Sequence, residues 1–178
     1  QQYEASKRKK IWLGENYRDV WSMPVEVDVF DISSEKGGLK ILKKGGGQQT
    51  KSLRLEANDG KQYVLRSIEK YPAKAIPVAL QKTFAEDVVQ DQISSSHPYG
   101  AFVVPSLADA AQIYHTNPKP VWIPDDPLFG QFQSVFAGTL AVFEERPTRE
   151  SASEPFFGGA KDVEGTFDVL EKLQKDND

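Results

Sequence analysis

A chain of 178 residues with 39% hydrophobic content is long enough for one domain with a core of its own, or for one domain with tails. Its formal net charge of −4 removes any global electrostatic case for nucleic-acid binding, and the absence of cysteine excludes disulfides and thiolate-ligated metals without fixing a compartment. No apolar run approaches the ~18 residues of a membrane-spanning helix, so no direct membrane insertion by this segment is expected.

Residues 1–23 read as a linker or docking segment. The basic run Lys7-Arg8-Lys9-Lys10 is followed only by Ile11-Trp12-Leu13 before Gly14, which is shorter than the ~7–15 apolar residues of a signal peptide. A solvated linker is the plain reading of this start, and a polybasic binding site the sharper one. A chain beginning at Gln1 rather than Met is expected to be a processed product or a fragment, with the fragment favoured.

Residues 24–147 read as an α+β sheet domain. Pro24-Val25-Glu26-Val27-Asp28-Val29-Phe30 alternates strictly, as an edge strand with its acidic side in water does. Residues 37–70 predict three consecutive antiparallel strands. Leu53 and Leu55 alternate with Lys51, Arg54 and Glu56, and Tyr63, Val64, Leu65 and Ile68 follow as a β-rich run. Asn58-Asp59-Gly60 between them tolerates positive φ and closes a hairpin. The other bend is Gly45-Gly46-Gly47-Gln48-Gln49-Thr50, free of bulky side chains. Its amides are suited to approach a phosphate, with Lys43, Lys44 and Lys51 supplying positive charge.

After Pro72 and Pro77, residues 78–94 carry a helical pattern, with Leu80, Phe84 and Val88 in one apolar row and Ala85, Val89 and Ile93 in the next. Gln81, Lys82, Asp87 and Asp91 form its polar face. A shorter helix is expected over 105–114, opened by Pro105. Val121-Trp122-Ile123 is a short strand, Pro124-Asp125-Asp126-Pro127 a turn, and 128–138 an aromatic segment (Phe129, Phe132, Phe136) that is loop-like or weakly helical. Residues 140–143 form a buried-type strand running into Glu144-Glu145-Arg146-Pro147. Residues 148–178 read as a poorly ordered connection ending in a short helix over 166–175, with Thr166 as N-cap and Phe167, Leu170 and Leu173 on one face. The whole predicts a twisted, mainly antiparallel sheet of about five strands with one or two helices packed on one face.

Chemistry is sparse. His97 and His115 are the two groups suited to neutral-pH acid–base work, and neither sits in metal-ligand spacing. Asp125-Asp126 reads as a turn before it reads as a cation site. No hydrolytic constellation and no Walker A motif is visible, so no catalytic residue, metal site or cofactor is assigned to these residues. The glycine loop is the ambiguous element, since a flexible bend explains it as simply as a phosphate cradle does.

The order strand, glycine loop, strand, turn, strand ending in Val64-Leu65-Arg66, helix, two strands resembles the small lobe of a protein-kinase-like fold. There a glycine loop covers the ATP phosphates, a third-strand lysine contacts them, and a helix carboxylate holds that lysine. The resemblance implies a nucleotide or phosphate site from Gly45, Gly46, Gly47, Gln48, Gln49 and Thr50, with Arg66 for the lysine, Glu86 for the helix carboxylate, and Glu144 and Glu145 opening the segment to Pro147 beside the base. The loop is not GxGxxG, and arginine is not a neutral swap for lysine. The runs LGENYRDVWSMPVEV, EKGGLKILKKGGGQQTKSLRLE, DVVQDQISSSHPYGAFVVPSLADAA and PVWIPDDPLFGQF also resemble an internal domain of large Gram-negative envelope proteins. In those proteins it lies between a calcineurin-like metallophosphoesterase domain and a surface-antigen-type outer-membrane β-barrel.

That resemblance implies a cell-envelope location, periplasmic or outer-membrane-associated, and neighbouring domains of the parent chain as partners. It also implies an atypical-kinase catalytic loop beyond residue 178. Three functions follow as expectations. The first is a non-catalytic spacer or interaction module of a multidomain envelope protein. The second is the nucleotide-binding half of an atypical kinase-like domain, with Mg-ATP entering only in a longer chain. The third is a peptide- or polymer-binding module using the Phe129, Phe132 and Phe136 region and a sheet edge.

Overall fold

The computed structural model describes residues 3–46, 49–72, 76–148 and 157–176. Alternating side chains build a six-stranded sheet from β1 (Asp28–Val29), β2 (Leu39–Gly46), β3 (Lys51–Ala57), β4 (Gln62–Ser67), β5 (Lys119–Ile123) and β6 (Thr139–Glu145). The strand order is β1-β5-β6-β4-β3-β2, and every pair is antiparallel except β1 with β5. The α+β class and the mainly antiparallel sheet therefore hold, with six strands where about five were expected.

The sixth is what remains of the alternating run that starts at Pro24. It pairs for two residues at the edge, Phe30 N–H donates to the Trp122 carbonyl at 2.8 Å, and the chain then turns at Asp31. The Asp31 carboxylate ends the strand by accepting from Ser33 N–H at 2.8 Å and from the Ser33 and Ser34 hydroxyls at 2.6 and 2.7 Å. The β3–β4 hairpin closes as its residues predict: Ala57 N–H bonds the Lys61 carbonyl at 2.9 Å, and Gly60 takes φ +83°.

One face of the sheet is dry. Leu53, Leu55, Tyr63, Leu65, Val121, Ile123, Ala141 and Phe143 point to it and are covered by Phe30, Ile32, Phe129 and Phe136. Phe30 packs on Phe143 at 5.1 Å and on Phe129 at 6.3 Å between ring centroids. The covering segment is a 3-10 turn, Pro127–Phe132, followed by α5 (Gln133–Phe136). The expectation of an exposed aromatic groove is corrected here. Phe129 and Phe136 are fully buried and Phe132 is half-buried against the same core, because each ring removed from water contributes about 1.5–3 kcal/mol and this face has little else to cover it.

The helices sit elsewhere. The segment before the sheet, expected as a linker or docking element, contains α1 (Lys7–Leu13) and α2 (Arg18–Ser22). The long helical pattern becomes a 3-10 turn, Val78–Leu80, then α3 (Phe84–Gln92) and a second 3-10 turn, Ile93–Ser95. Its two faces are not the expected ones: Phe84 is 79% exposed whereas Asp91 is buried. The cause is polar, since Asp91 is paired with Arg18 and Lys9 from the N-terminal helices. Tyr17 N–H bonds the Ser94 carbonyl at 2.8 Å and Trp21 Nε1 donates to the Ser96 carbonyl at 2.9 Å, so the N-terminal helices and α3 form one unit. The unit meets the end of β4 where Gln90 Nε2 donates to the Lys70 carbonyl at 3.1 Å and Tyr3 Oη donates to Glu69.

The shorter helix, α4, runs Val104–Ala110 with Pro105 in its first turn. The last, α6 (Thr166–Lys175), has Gly165 rather than Thr166 at its N-cap, and Phe167, Leu170 and Leu173 are exposed. Among the described residues no helix is long and apolar enough to cross a membrane.

Candidate functional site

Because side chains alternate along a strand, the residues between the core positions face the other side of the sheet. Ser52 and Arg54 on β3, Val64 and Arg66 on β4, and Val142 and Glu144 on β6 all point there. Strand register aligns them in two adjacent rows. Gly45, Ser52, Arg66 and Val142 form one, and Lys43, Arg54, Val64 and Glu144 the other. An open cleft of about 480 Å³ lies over these rows. Gly45, Ser52, Arg54, Val64, Arg66, Glu144 and Glu145 line it from the strands, and Thr50, Thr116, Arg146 and Pro147 complete the lining.

The cleft is charged. Arg66 is half-exposed, and its Nη2 lies 3.8 Å from Glu144 Oε1, an ion pair too long for a hydrogen bond. Thr116 Oγ1 approaches Glu144 Oε2 at 3.5 Å. Arg146 donates from Nη1 to the Gln62 side-chain oxygen at 2.7 Å, while its backbone N–H bonds the Gln62 carbonyl at 2.8 Å. Burial, and then the charge of Arg54, lower the pKa of Arg146. Arg54 forms no ion pair or side-chain hydrogen bond among the described residues.

The cleft brings together Gly45, Thr50, Arg66, Glu144 and Glu145 of the residues singled out in the sequence. Gly46 ends β2 opposite Lys51. Gly47 and Gln48 lie outside the described residues, and Gln49 is exposed, its carbonyl accepting from Tyr71 N–H at 2.5 Å. Glu86 is the residue that does not come. It starts α3, where its carboxylate accepts from Lys82 N–H beside Thr83, whose Oγ1 takes the Ala85 N–H at 3.2 Å. A glutamate at the third helical position satisfies free amides there, and the role of partner to Arg66 falls to Glu144. Lys51 lies outside the cleft, with Nζ 4.6 Å from the Tyr71 ring centroid, and Lys43 and Lys44 are exposed.

Sequence reasoning missed Arg54. The signal was available, since a hairpin closed at Gly60 sets Arg54 opposite Val64 and on the same face as Arg66. The histidines lie outside the cleft. His97 Nδ1 accepts from Tyr99 N–H at 3.1 Å. His115 bonds Asp109 at 2.9 Å, which raises its pKa. Asp126 caps the following 3-10 turn through Leu128 N–H at 2.9 Å, and Asp125 accepts from Gln133 at 2.8 Å, so both serve the turn. Among the described residues no group of three or more His, Asp or Glu is placed to hold a metal ion.

Fold and site together define an α+β domain whose mixed sheet is dry on one face and carries an arginine-rich polar cleft on the other. No protein-family model, no curated protein and no solved structure matches the chain.

Proposed function

We propose that this domain is a kinase-small-lobe-like module, non-catalytic by itself, whose own cleft binds phosphate groups within a multidomain envelope protein. The observation that carries the reading is the meeting of the glycine-bearing bend with Arg66. Gly45 and Arg66 flank Ser52 in one row, and Thr50 lines the same cleft. Backbone free of side chains beside a guanidinium fork is suited to phosphate oxygens.

Connectivity supports it as well. Apart from β1, the chain runs through β2, β3 and β4, then α3, then β5 and β6, in keeping with the sequential order of strands and helix on which the resemblance rests. The departures concern catalysis. Arg66 stands where kinases use lysine, and its acidic neighbour is a strand residue, Glu144, rather than a helix carboxylate. The envelope location and the neighbouring domains rest on the sequence resemblance, and catalytic groups would come from beyond residue 178.

The test is calorimetric titration of Mg-ATP and of sodium tripolyphosphate into the chain. Binding of at least one of them is expected, with a loss of about 10-fold in Arg66→Ala, the size of one charge-assisted hydrogen bond. Absence of binding, or binding indifferent to Arg66, overturns the reading.

A second reading, a spacer or interaction module, is favoured by apolar side chains that stand in water. Val78 ahead of α3 and Phe84 at its start, and Leu107 in α4 and Ile113 after it, are all largely exposed. In the parent chain, Phe84→Glu or Leu107→Glu would then loosen this domain from its neighbours, read as faster limited proteolysis at its borders. Unchanged proteolysis in both would remove this reading.

A further inference from the structure

The cleft holds three arginines, and its two glutamates do not match them one to one. Glu144 lies 3.8 Å from Arg66, Arg146 gives its hydrogen bond to the neutral Gln62 amide, and Arg54 has no ion pair among the described residues. Arg54 and Arg66 occupy diagonal positions on adjacent strands, a spacing of roughly 7–8 Å that long side chains bridge. Like charges gathered on one sheet face cost stability unless an anion joins them.

A base has little to rest on. Nucleobase sites are walled by apolar or aromatic groups, and stacking on an aromatic contributes about 1–3 kcal/mol per base. Among the described residues no aromatic side chain lines this cleft, and beyond glycine only Val64 and Pro147 are apolar. The residue paired with Val64 on the neighbouring strand is Arg54, a charged group and not an apolar one.

We infer that the cleft recognises a run of phosphate groups and not a nucleobase, its ligand being a short polyphosphate or a compact molecule bearing several phosphates, held by Arg54 and Arg66 with Arg146 beside them. The inference rests on the phosphate reading above and narrows it. Two guanidinium forks facing one cleft can each take a phosphate through paired N–H donors.

The experiment compares sodium tripolyphosphate, ATP and adenosine by calorimetry at one ionic strength, on the chain and on Arg54→Ala and Arg54→Lys. Tripolyphosphate and ATP are expected within about 3-fold of each other, with adenosine silent. Arg54→Ala should weaken both anions by about 10-fold and Arg54→Lys should restore part of the loss. ATP binding at least 10-fold tighter than tripolyphosphate, or Arg54→Ala weakening ATP alone, would assign Arg54 to a base. That overturns the inference and leaves the phosphate reading standing. Loss in Arg66→Ala with none in Arg54→Ala also overturns it. If neither anion binds, both readings fall. Arg54 faces the open side of the sheet, so a urea midpoint no lower than that of the unaltered chain is the check that each variant folds.

Discussion

The Arg18 guanidinium holds the Asp91 carboxylate through both terminal nitrogens, at 2.7 and 2.5 Å, with the two side chains 1% and 4% exposed. Two further N–H groups are used as well: Nε bonds the Gly14 carbonyl at 3.1 Å and Nη1 the Tyr3 carbonyl at 3.3 Å. Lys9 Nζ adds a third cationic contact to Asp91 at 2.7 Å from a more exposed position. This pair, together with the Tyr17–Ser94 and Trp21–Ser96 bonds, fastens the N-terminal helices to α3 and the turn after it. Removing the acid strands a buried cation, so Asp91→Ala should cost about 3–5 kcal/mol in urea unfolding. Lys9→Ala removes a rim charge and should cost less than about 1 kcal/mol. Proteolysis at residues 3–23 should accelerate in the first variant and stay near wild type in the second. Equal costs for the two would mean that the buried pair is not the fastening.

The same residues set the response to acid. Hydrogen bonding from Arg18, opposed by burial, holds the Asp91 carboxyl below its usual 3.8. The Ser33 and Ser34 hydroxyls and the Ser33 amide hold Asp31 at about 2. A carboxyl depressed in the folded state contributes stability that is complete above its unfolded pKa and is lost as pH falls through the folded one. The urea midpoint should therefore fall below pH 3.8 and continue falling towards about 2. His115 has the opposite sign. Asp109 raises its pKa above 6.5, so its contribution is complete below 6.5 and fades as pH rises through the raised value. The pair is on the surface, and its effect should be small. Asp109→Asn should reduce the alkaline decline, the share due to the Thr116 carbonyl remaining, while leaving the acid limb intact. An acid limb unchanged in Asp91→Asn would contradict the assignment to Asp91.

Glu86 separates a helix cap from a ligand partner. With its carboxylate on Lys82 N–H, Glu86→Ala should lower stability by about 0.5–2 kcal/mol, the range for lost caps. Tripolyphosphate affinity should not move, because the acid beside Arg66 is Glu144. Glu144→Gln should change that affinity and spare the helix. It removes a negative charge next to Arg66, and tighter anion binding is the expected direction. A Glu86 variant that alters binding without altering stability would place α3 over the cleft after all.

The sheet was readable in the sequence because its information is local. Alternation at Leu53 and Leu55, and a turn that tolerates φ +83° at Gly60, suffice to set the β3–β4 register. From that register Arg66 and Glu144 fall on the open face. The helical unit was not readable, because its determinant is a pair 73 residues apart. Nothing near Asp91 says that it will be buried, whereas the row of Leu80, Phe84 and Val88 says, wrongly for Leu80 and Phe84, that apolar residues will be. The three phenylalanines failed for a related reason. Their spacing fits an exposed groove as well as a lid on the core, and only the uncovered face of the sheet decides between them. Arg54 was legible but passed over as one more polar residue on an alternating strand.

The last test concerns why a glycine stands at the rim of the cleft. Gly45 does not adopt the left-handed backbone that favours glycine, so space is the requirement there. A Cβ added at that position would lie 2.5 Å from Ser52 Oγ and 2.9 Å from Ser52 Cβ, both closer than atoms can approach. Gly45→Ala must displace Ser52 or spread β2 from β3, at a cost of about 1–3 kcal/mol. Ser52→Gly on that background removes the obstructing atoms and should recover about 1 kcal/mol or more, a coupling that a double-mutant cycle measures directly. Tripolyphosphate binding should weaken in Gly45→Ala and recover in the double variant, since the displaced serine sits between the bend and Arg66. Additive stabilities in the cycle would mean that Ser52 is not what excludes a side chain at Gly45. The glycine would then be a strand residue near a bend, without a part in shaping the cleft.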